Sequence, residues 1–240
     1  MLKKLIFSTL LLVSFFVNAQ ELIRFSHKSG KYTDTIQLVL KADVDQIYYT
    51  TDGTKPNKYS SLYKDSISIG KTTHFTFRAK KDGKYLDTII QSFYLIDFPK
   101  KFPVLSISIP KEDLWSSERG LFSKGENPEI DSLGKLTNCN YHQDWEKKVT
   151  MMYIVDSLVL HQECGMKIFG ESTRNYQDKS FKLIARKKYG NNLFRFPFFT
   201  NKSISKHKHL VVRTSGNDFK GTRFKDVLSA HLVRNLSIDY

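Results

Sequence analysis

"KSFKLIAR", residues 179–186, alternates apolar and polar side chains, and this alternation decides how the second half of the chain folds. Read as a strand, it sets Phe181, Leu183 and Ala185 on one face and Ser180, Lys182 and Ile184 on the other. Lys179 then shares the face of Phe181, while Lys182 points the opposite way. A lysine on a partly apolar face needs an anionic partner, either a carboxylate such as Glu171 or Asp226, or a phosphate. Arg174 and Arg213 fall near the same strand ends, and convergent cations on a sheet edge suit a polyphosphate better than a carboxylate. On the pattern alone, a basic sheet face in solvent fits as well.

Around this strand the same alternation recurs. "VLSISI" at 104–109 reads as a strand, and "KEDLWSSERGLF" as a short helix or turn leading into a polar loop that runs to about Asn140. "VTMMYIVDSLVL" reads as a hairpin turning at Asp156-Ser157, followed by "CGMKIFG" and, beyond 179–186, "HLVVRTSG". From Thr222 to about Arg234, Phe224, Val227, Leu228, Ala230, His231 and Leu232 form a helical stripe with Asp226 near its start. The expected unit is a sheet of about five strands with one helix that must cover a face of it. The chain stops soon after that helix, at "SIDY", so a fragment of a longer protein is expected.

Between residues 21 and 97, "TIQLVLKA", "QIYYTTDG", "SISIG", "THFTFRAKKDG" and "IIQSFYLI" are short alternating runs bounded by Gly, Asp, Asn or Pro. That pattern predicts a small antiparallel β-sandwich. Thr51-Asp52-Gly53 and Lys81-Asp82-Gly83 put glycine where a turn needs positive φ. "GKTT" at 70–73 resembles the end of a phosphate-binding loop, but the pattern requires Gly at position 65, where Asp65 stands, so a hairpin turn is expected. "DFPKKFP", residues 97–103, reads as a linker. The organisation is therefore a leader at 1–19, a sandwich at 20–98 and a second domain at 99–240; the fold class is mainly β, with an α+β second domain.

The leader reading rests on Lys3 and Lys4, an apolar run from Leu5 to Val17, and Val17-Asn18-Ala19, a pattern that signal peptidases cut after. The run is short for a bilayer, and no cysteine follows it to carry a lipid. Export to the periplasm, cell surface or outside is expected, without a transmembrane segment. The chain carries a formal charge of +14; this favours anionic partners or simply a lysine-rich soluble surface, and outside a cell nucleic acid is not expected among them. Cys139 and Cys164 are the only cysteines, left here as either a disulfide or two separate buried thiols. No spacing suggests zinc: His142 and His161 stand alone, and His207 and His209 alternate at a strand entrance.

Two resemblances follow from longer stretches. "IYYTTDGTKPNKYSSLYKDSISI", with Ile47, Tyr48, Tyr49, Thr50, Asp52, Gly53, Pro56, Tyr63 and Ile67, resembles the chitobiase/beta-hexosaminidase C-terminal domain over residues 24 to 96. It implies an accessory module without catalytic residues; Tyr48, Tyr59 or Tyr63, if exposed, could stack on the sugar rings of a cell-surface polysaccharide.

"GMKIFGESTRNYQDKSFKLIARKKYG" and "LVVRTSGNDFKGTRFKDVLSAHL" resemble the spore coat protein H (CotH) family of secreted atypical protein kinases over about residues 103 to 240. The match is carried by Gly170, Ser172, Arg174, Lys179, Ser180, Phe181, Tyr189, Gly190, Arg213, Gly216, Asn217 and Asp218. The resemblance implies ATP-dependent phosphorylation of protein Ser or Thr, with Mg2+ or Mn2+, and a kinase-like amino-terminal lobe made of this sheet and helix. In that reading Lys179 pairs with the α and β phosphates, Asp226 holds its ammonium, Lys182 is the runner-up, and Arg174 and Arg213 steady phosphate charge or order the turn. "GNDF" lacks the final glycine of the kinase Asp-Phe-Gly, and no His-Arg-Asp occurs. The catalytic and metal-binding aspartates are expected beyond Tyr240, so this stretch alone should transfer nothing. The alternative is a non-catalytic surface protein that binds polysaccharide or a partner.

Overall fold

In the computed structural model, residues 22–99, 102–156, 158–199, 202–215, 218 and 220–233 are described, with the backbone alone for Asp226, Ala230, His231 and Val233. The leader reading falls outside these residues, as do Lys100 and Lys101 of the linker and Gly216, Asn217 and Phe219 of the "GNDF" turn.

The elements run β1 (Arg24–Phe25), β2 (Gly30–Tyr32), β3 (Ile36–Leu38), β4 (Leu40–Lys41), β5 (Gln46–Thr50), β6 (Ser61–Leu62), β7 (Ile67–Ile69), β8 (Thr73–Lys81) and β9 (Lys84–Ile96). Then come β10 (Val104–Ser108), α1 (Lys111–Trp115), β11 (Glu129–Ile130), β12 (Leu136–Thr137), β13 (Lys147–Val155), β14 (Leu158–Ile168), β15 (Phe181–Ile184), β16 (Phe194–Arg195), β17 (Lys206–His207), β18 (His209–Val212) and α2 (Lys225–Val233). The chain is mainly β, in several sheets.

In the first module, β2-β9-β8-β5-β6 form one sheet, and the short pairs β3-β7 and β1-β4 lie apart from it. Alternation decides the core: Phe75, Phe77 and Ala79 of β8 turn inward with Ile47, Leu38 and Tyr94, and Phe75 stacks on Phe77 with ring centres 5.4 Å apart. The β8–β9 hairpin turns on Asp82 (φ 50°) and Gly83 (φ 72°), a two-residue turn whose left-handed backbone suits Asp-Gly. Two details depart from the sequence reading. β2 pairs with β9 in parallel, so the module is not wholly antiparallel. "GKTT" is no hairpin, because it leads from β7, paired with β3, to β8 in the larger sheet. It is a crossover between sheets.

The second module is built on a five-stranded antiparallel sheet, β10-β13-β14-β15-β18. The hairpin expected at Asp156-Ser157 is present, with Val155 opposite Leu158. "SLVL" and "CGMKIFG" are not separate strands, however. β14 runs unbroken through "HQE", because the hairpin partner β13 is long enough to pair it throughout.

One face of this sheet buries Val149, Met151, Cys164, Met166 and Leu183. They are covered by Leu121, Cys139 and Tyr141 from the irregular segment before β13, and by Phe194 from the excursion after β15. Helix α2 does not cover this face. Phe224, Val227, Leu228 and Leu232 are 50, 69, 43 and 68% exposed, since the face the stripe was expected to close is already filled by loops. On the opposite face, Met152 and Ile154 pack with Val104 against Phe93 and Leu95 of the first module, and Gln91 Nε2 donates to Ser108 Oγ at 2.8 Å. The two modules thus meet sheet against sheet.

Candidate functional site

The register brings three loops to one end of the second sheet. Ile168 is opposite Phe181, Phe181 is opposite Val212, and Lys147 is opposite Met166. The segment before β13, the β14–β15 connection and the turn after β18 therefore leave the sheet together. Sequence spacing alone hides this, because the three segments are about 30 to 40 residues apart.

Lys179 lies at the centre of this end, with only 8% of its surface exposed. The face assignment from sequence holds: Leu183 and Ala185 enter the core, Phe181 packs against it, and Lys179 is buried on that side. Its ammonium donates to the backbone carbonyls of Arg174 (2.7 Å) and Tyr176 (2.8 Å) and sits 3.9 Å from the centre of the Tyr141 ring. An ammonium has three donors, so two carbonyls and a π face occupy all three. Glu171 is not among its partners. Burial pushes the Lys179 pKa below its ordinary value, with the neighbouring Cys139 thiol acting the other way.

Arg174 shares in this construction. Its Nε donates to Gly170 O (2.5 Å) and its Nη1 to His142 O (2.8 Å), joining the β14–β15 loop to the segment before β13. Gly170 itself adopts φ 105°, a backbone closed to other residues. His142 Nδ1 accepts from Cys139 N at 3.1 Å and its ring meets Tyr141 edge-on at 4.7 Å. Burial lowers the His142 pKa, helped by the charges of Arg174 and Lys179 and opposed by a hydrogen bond with Asn175. Tyr141 is pushed up by burial and by the adjacent Cys139.

The third loop is tied to the β14–β15 connection. Thr214 N donates to Ser180 Oγ at 3.1 Å, Thr214 Oγ1 donates to Asp178 O, and Arg223 pairs with Asp178 at 2.9 Å. Asp218 is buried, and its Oδ2 accepts from Thr222 Oγ1 (2.7 Å) and from Lys225 N (3.2 Å), capping α2. The Thr222 bond, the Lys225 backbone N–H and the Lys225 charge overcome burial and bring its pKa to about 2. Among the described residues its Oδ1 has no hydrogen-bond partner, with Lys225 Nζ at 3.5 Å.

Of the predicted residues, Lys179 and Arg174 are brought together, and Arg213 stands exposed one residue before Thr214 at the same end. Lys182 lies on the opposite face, 5.2 Å above the Phe169 ring. The Asp226 side chain lies outside the described residues. Sequence reasoning did not single out Tyr141, His142 or Cys139 for this site. They sit in "NCNYHQDWE", which lacks strand or helix periodicity, and the only available signal was an aromatic residue beside a cysteine in a polar run.

Cys139 and Cys164 are both buried and free, not bonded to each other. Burial first, then the charge of Glu146, pushes the Cys164 thiol up to about 12. Among the described residues, no group of three or more His, Cys, Asp or Glu side chains could hold a metal ion. His207 instead stacks edge-on with Phe198 and Phe199. Of the tyrosines considered for sugar stacking, Tyr63 is a structural bolt: its hydroxyl donates to Asp65 O and accepts from Leu40 N. Tyr48 packs on Tyr85, and Tyr59 is 85% exposed. No helix among the described residues is long and apolar enough to cross a membrane.

Residues 27–92 match the family model of the chitobiase/beta-hexosaminidase C-terminal domain, which places the first module with that class of β-sandwich. No curated protein matches the chain in sequence.

Proposed function

We propose that the loop end of the second sheet holds the phosphates of a nucleoside triphosphate, as part of an exported protein kinase of the CotH kind acting on protein Ser or Thr. The observation that supports this reading is the convergence of three loops bearing Arg174, Lys179, Arg213 and Asp218 on one sheet end. Arg213 offers an exposed guanidinium, the group best shaped for phosphate oxygens. Lys179 already has its donors on carbonyls, so it would serve ATP by exchanging a neutral acceptor for a charged one, which makes the stronger bond. The reading assigns nucleotide holding to these residues, with Mg2+ or Mn2+ arriving with the nucleotide, and assigns phosphoryl transfer to none of them.

The test is titration of the protein with ATP and magnesium, comparing wild type with Lys179→Ala and Arg213→Ala. Binding should weaken in both; unchanged binding in both would discard the reading. Arg213→Ala removes an exposed side chain, so its result stands even if Lys179→Ala disturbs the fold. A second reading, a non-catalytic surface protein that holds polysaccharide, is favoured by Tyr59, which stands on a turn 85% exposed, with the Lys58 ammonium 4.8 Å from one side of its ring. In that case Tyr59→Ala would abolish retention on insoluble polysaccharide and leave ATP irrelevant.

A further inference from the structure

The face of the second sheet opposite its core is covered by the first module on the β10–β13 side, and His161 of β14 lies within reach of His74 of that module. Across β14, β15 and β18 it carries Lys167, Lys182, His209 and Val211, with Phe169 at its edge. Lys167 and Lys182 are direct cross-strand partners. Like charges placed opposite each other destabilise a sheet pair, and the fold gains nothing evident from this one. Arg186 and Lys188 adjoin the patch, both held by Glu146, while Lys167 is held by Asp144. Three cations therefore face two carboxylates, and Lys182, whose ammonium stands over the Phe169 ring, adds a further charge. The His209 ring is exposed in this field, and Lys208 lies beside it.

We propose that this half-open, cationic sheet face binds a linear acidic polysaccharide bearing carboxylates. Charge complementarity is the basis. Strands about 4.8 Å apart place Lys167 and Lys182 at roughly the repeat of one sugar ring, so successive uronate groups can meet successive strands. Reading the sequence of a duplex takes an element that enters a groove, and this surface is a flat sheet. A single strand would need a free aromatic face on which to stack bases, and the Phe169 ring is occupied by Lys182. The inference is independent of the nucleotide reading, which concerns the loop end and the core side of the sheet.

His209 supplies a reporter. Burial lowers its pKa, the charges of Lys182, Lys208 and Arg186 lower it further, and Glu146 opposes them. A carboxylated chain laid across the patch would neutralise those cations and raise the His209 pKa. The experiment is binding of polygalacturonate to the full chain by calorimetry, with NMR titration of the His209 ring. Lys182→Glu should weaken binding about tenfold, equivalent to about 1.4 kcal/mol, whereas Lys80→Glu, the same charge change on the first module, should leave it within about twofold. Lys182→Gln, with a smaller loss, guards against a folding defect in Lys182→Glu. Equal losses for Lys182→Glu and Lys80→Glu, an unmoved His209 pKa, or binding of duplex DNA as tight as that of polygalacturonate would each overturn the proposal.

Discussion

The two modules bury polar groups in different ways. In the sandwich, the buried polar side chains are Thr76 and Ser92, small hydroxyls on long strands. In the second module, among the described residues, they are Asn140, Gln162, Lys179, Ser180 and Asp218, and all but Gln162 lie outside the strands. A core made of strand alternation needs no such groups. A core closed by irregular chain must satisfy its own carbonyls and amides with side chains, and the cation that does so here stands where three loops meet. The difference locates the chemistry: the first module is built to hold its shape, while the second holds charge under cover.

The strongest way to break this comparison is within the sandwich. Phe77→Ala removes a fully buried ring and should cost about 3–5 kcal/mol in urea unfolding. If hydrogen exchange then quickens in β14 and β15 as much as in β8, the modules do not store their stability separately. Lys179→Met should cost about 2–3 kcal/mol, because the carbonyls of Arg174 and Tyr176 lose their donor. The sign with pH is fixed by the lowered pKa. The unfolded chain holds this proton more tightly, so in wild type the cost of burying the charge fades as pH rises through the folded pKa towards 10.5. Lys179→Met should lose that rise, and persistence of the rise in the variant would show that another group causes it.

Smaller effects sharpen the contrast. The Glu146 carboxylate accepts Arg186 through two oxygens, Lys188 at 3.0 Å and the Tyr189 hydroxyl at 3.0 Å, and it fits because Gly165 leaves the space. Although burial acts to raise its pKa, these three partners hold it below the usual 4.5. Its contribution is present above that value and lost as acid takes the pH through the lowered folded pKa. Glu146→Gln should cost about 1–2 kcal/mol at pH 7 and nothing at pH 2, by denaturant midpoint. Smallest of all, Thr76→Val exchanges a buried hydroxyl that has no partner among the described residues for a methyl. It should fall within about 0.5 kcal/mol of wild type or stabilise the protein. A loss above 1 kcal/mol would mean that the hydroxyl is satisfied after all.

What the sequence disclosed follows from period and turn chemistry. The alternation around Lys182 assigned both faces of β15, Asp82-Gly83 announced the β8–β9 turn, and a sheet of about five strands was expected from runs that split β14 in two. Gln162 obscured the continuity of β14, because a polar residue on the buried face breaks the apolar alternation. The cover over the sheet could not be read at all: Leu121 and Tyr141 lie in loops without a repeat. The stripe on α2 announced an amphipathic helix, but periodicity says nothing of what such a face will touch. At the candidate site the sequence pointed to the buried ammonium and missed its acceptors, since backbone carbonyls and a ring three dozen residues away leave no local pattern.

The contact of Phe93 and Leu95 with Met152 and Ile154 bears on mechanics. β9 both closes the sandwich and supplies this contact, only a few residues before the chain crosses to β10. A pull on whatever the first module grips would load the long β9 ladder in shear and reach the second sheet through its side chains, not through a slack tether. Under tension this contact should therefore pass load from one module to the other, and a weakened contact at Leu95 should show first as an early, low-force step.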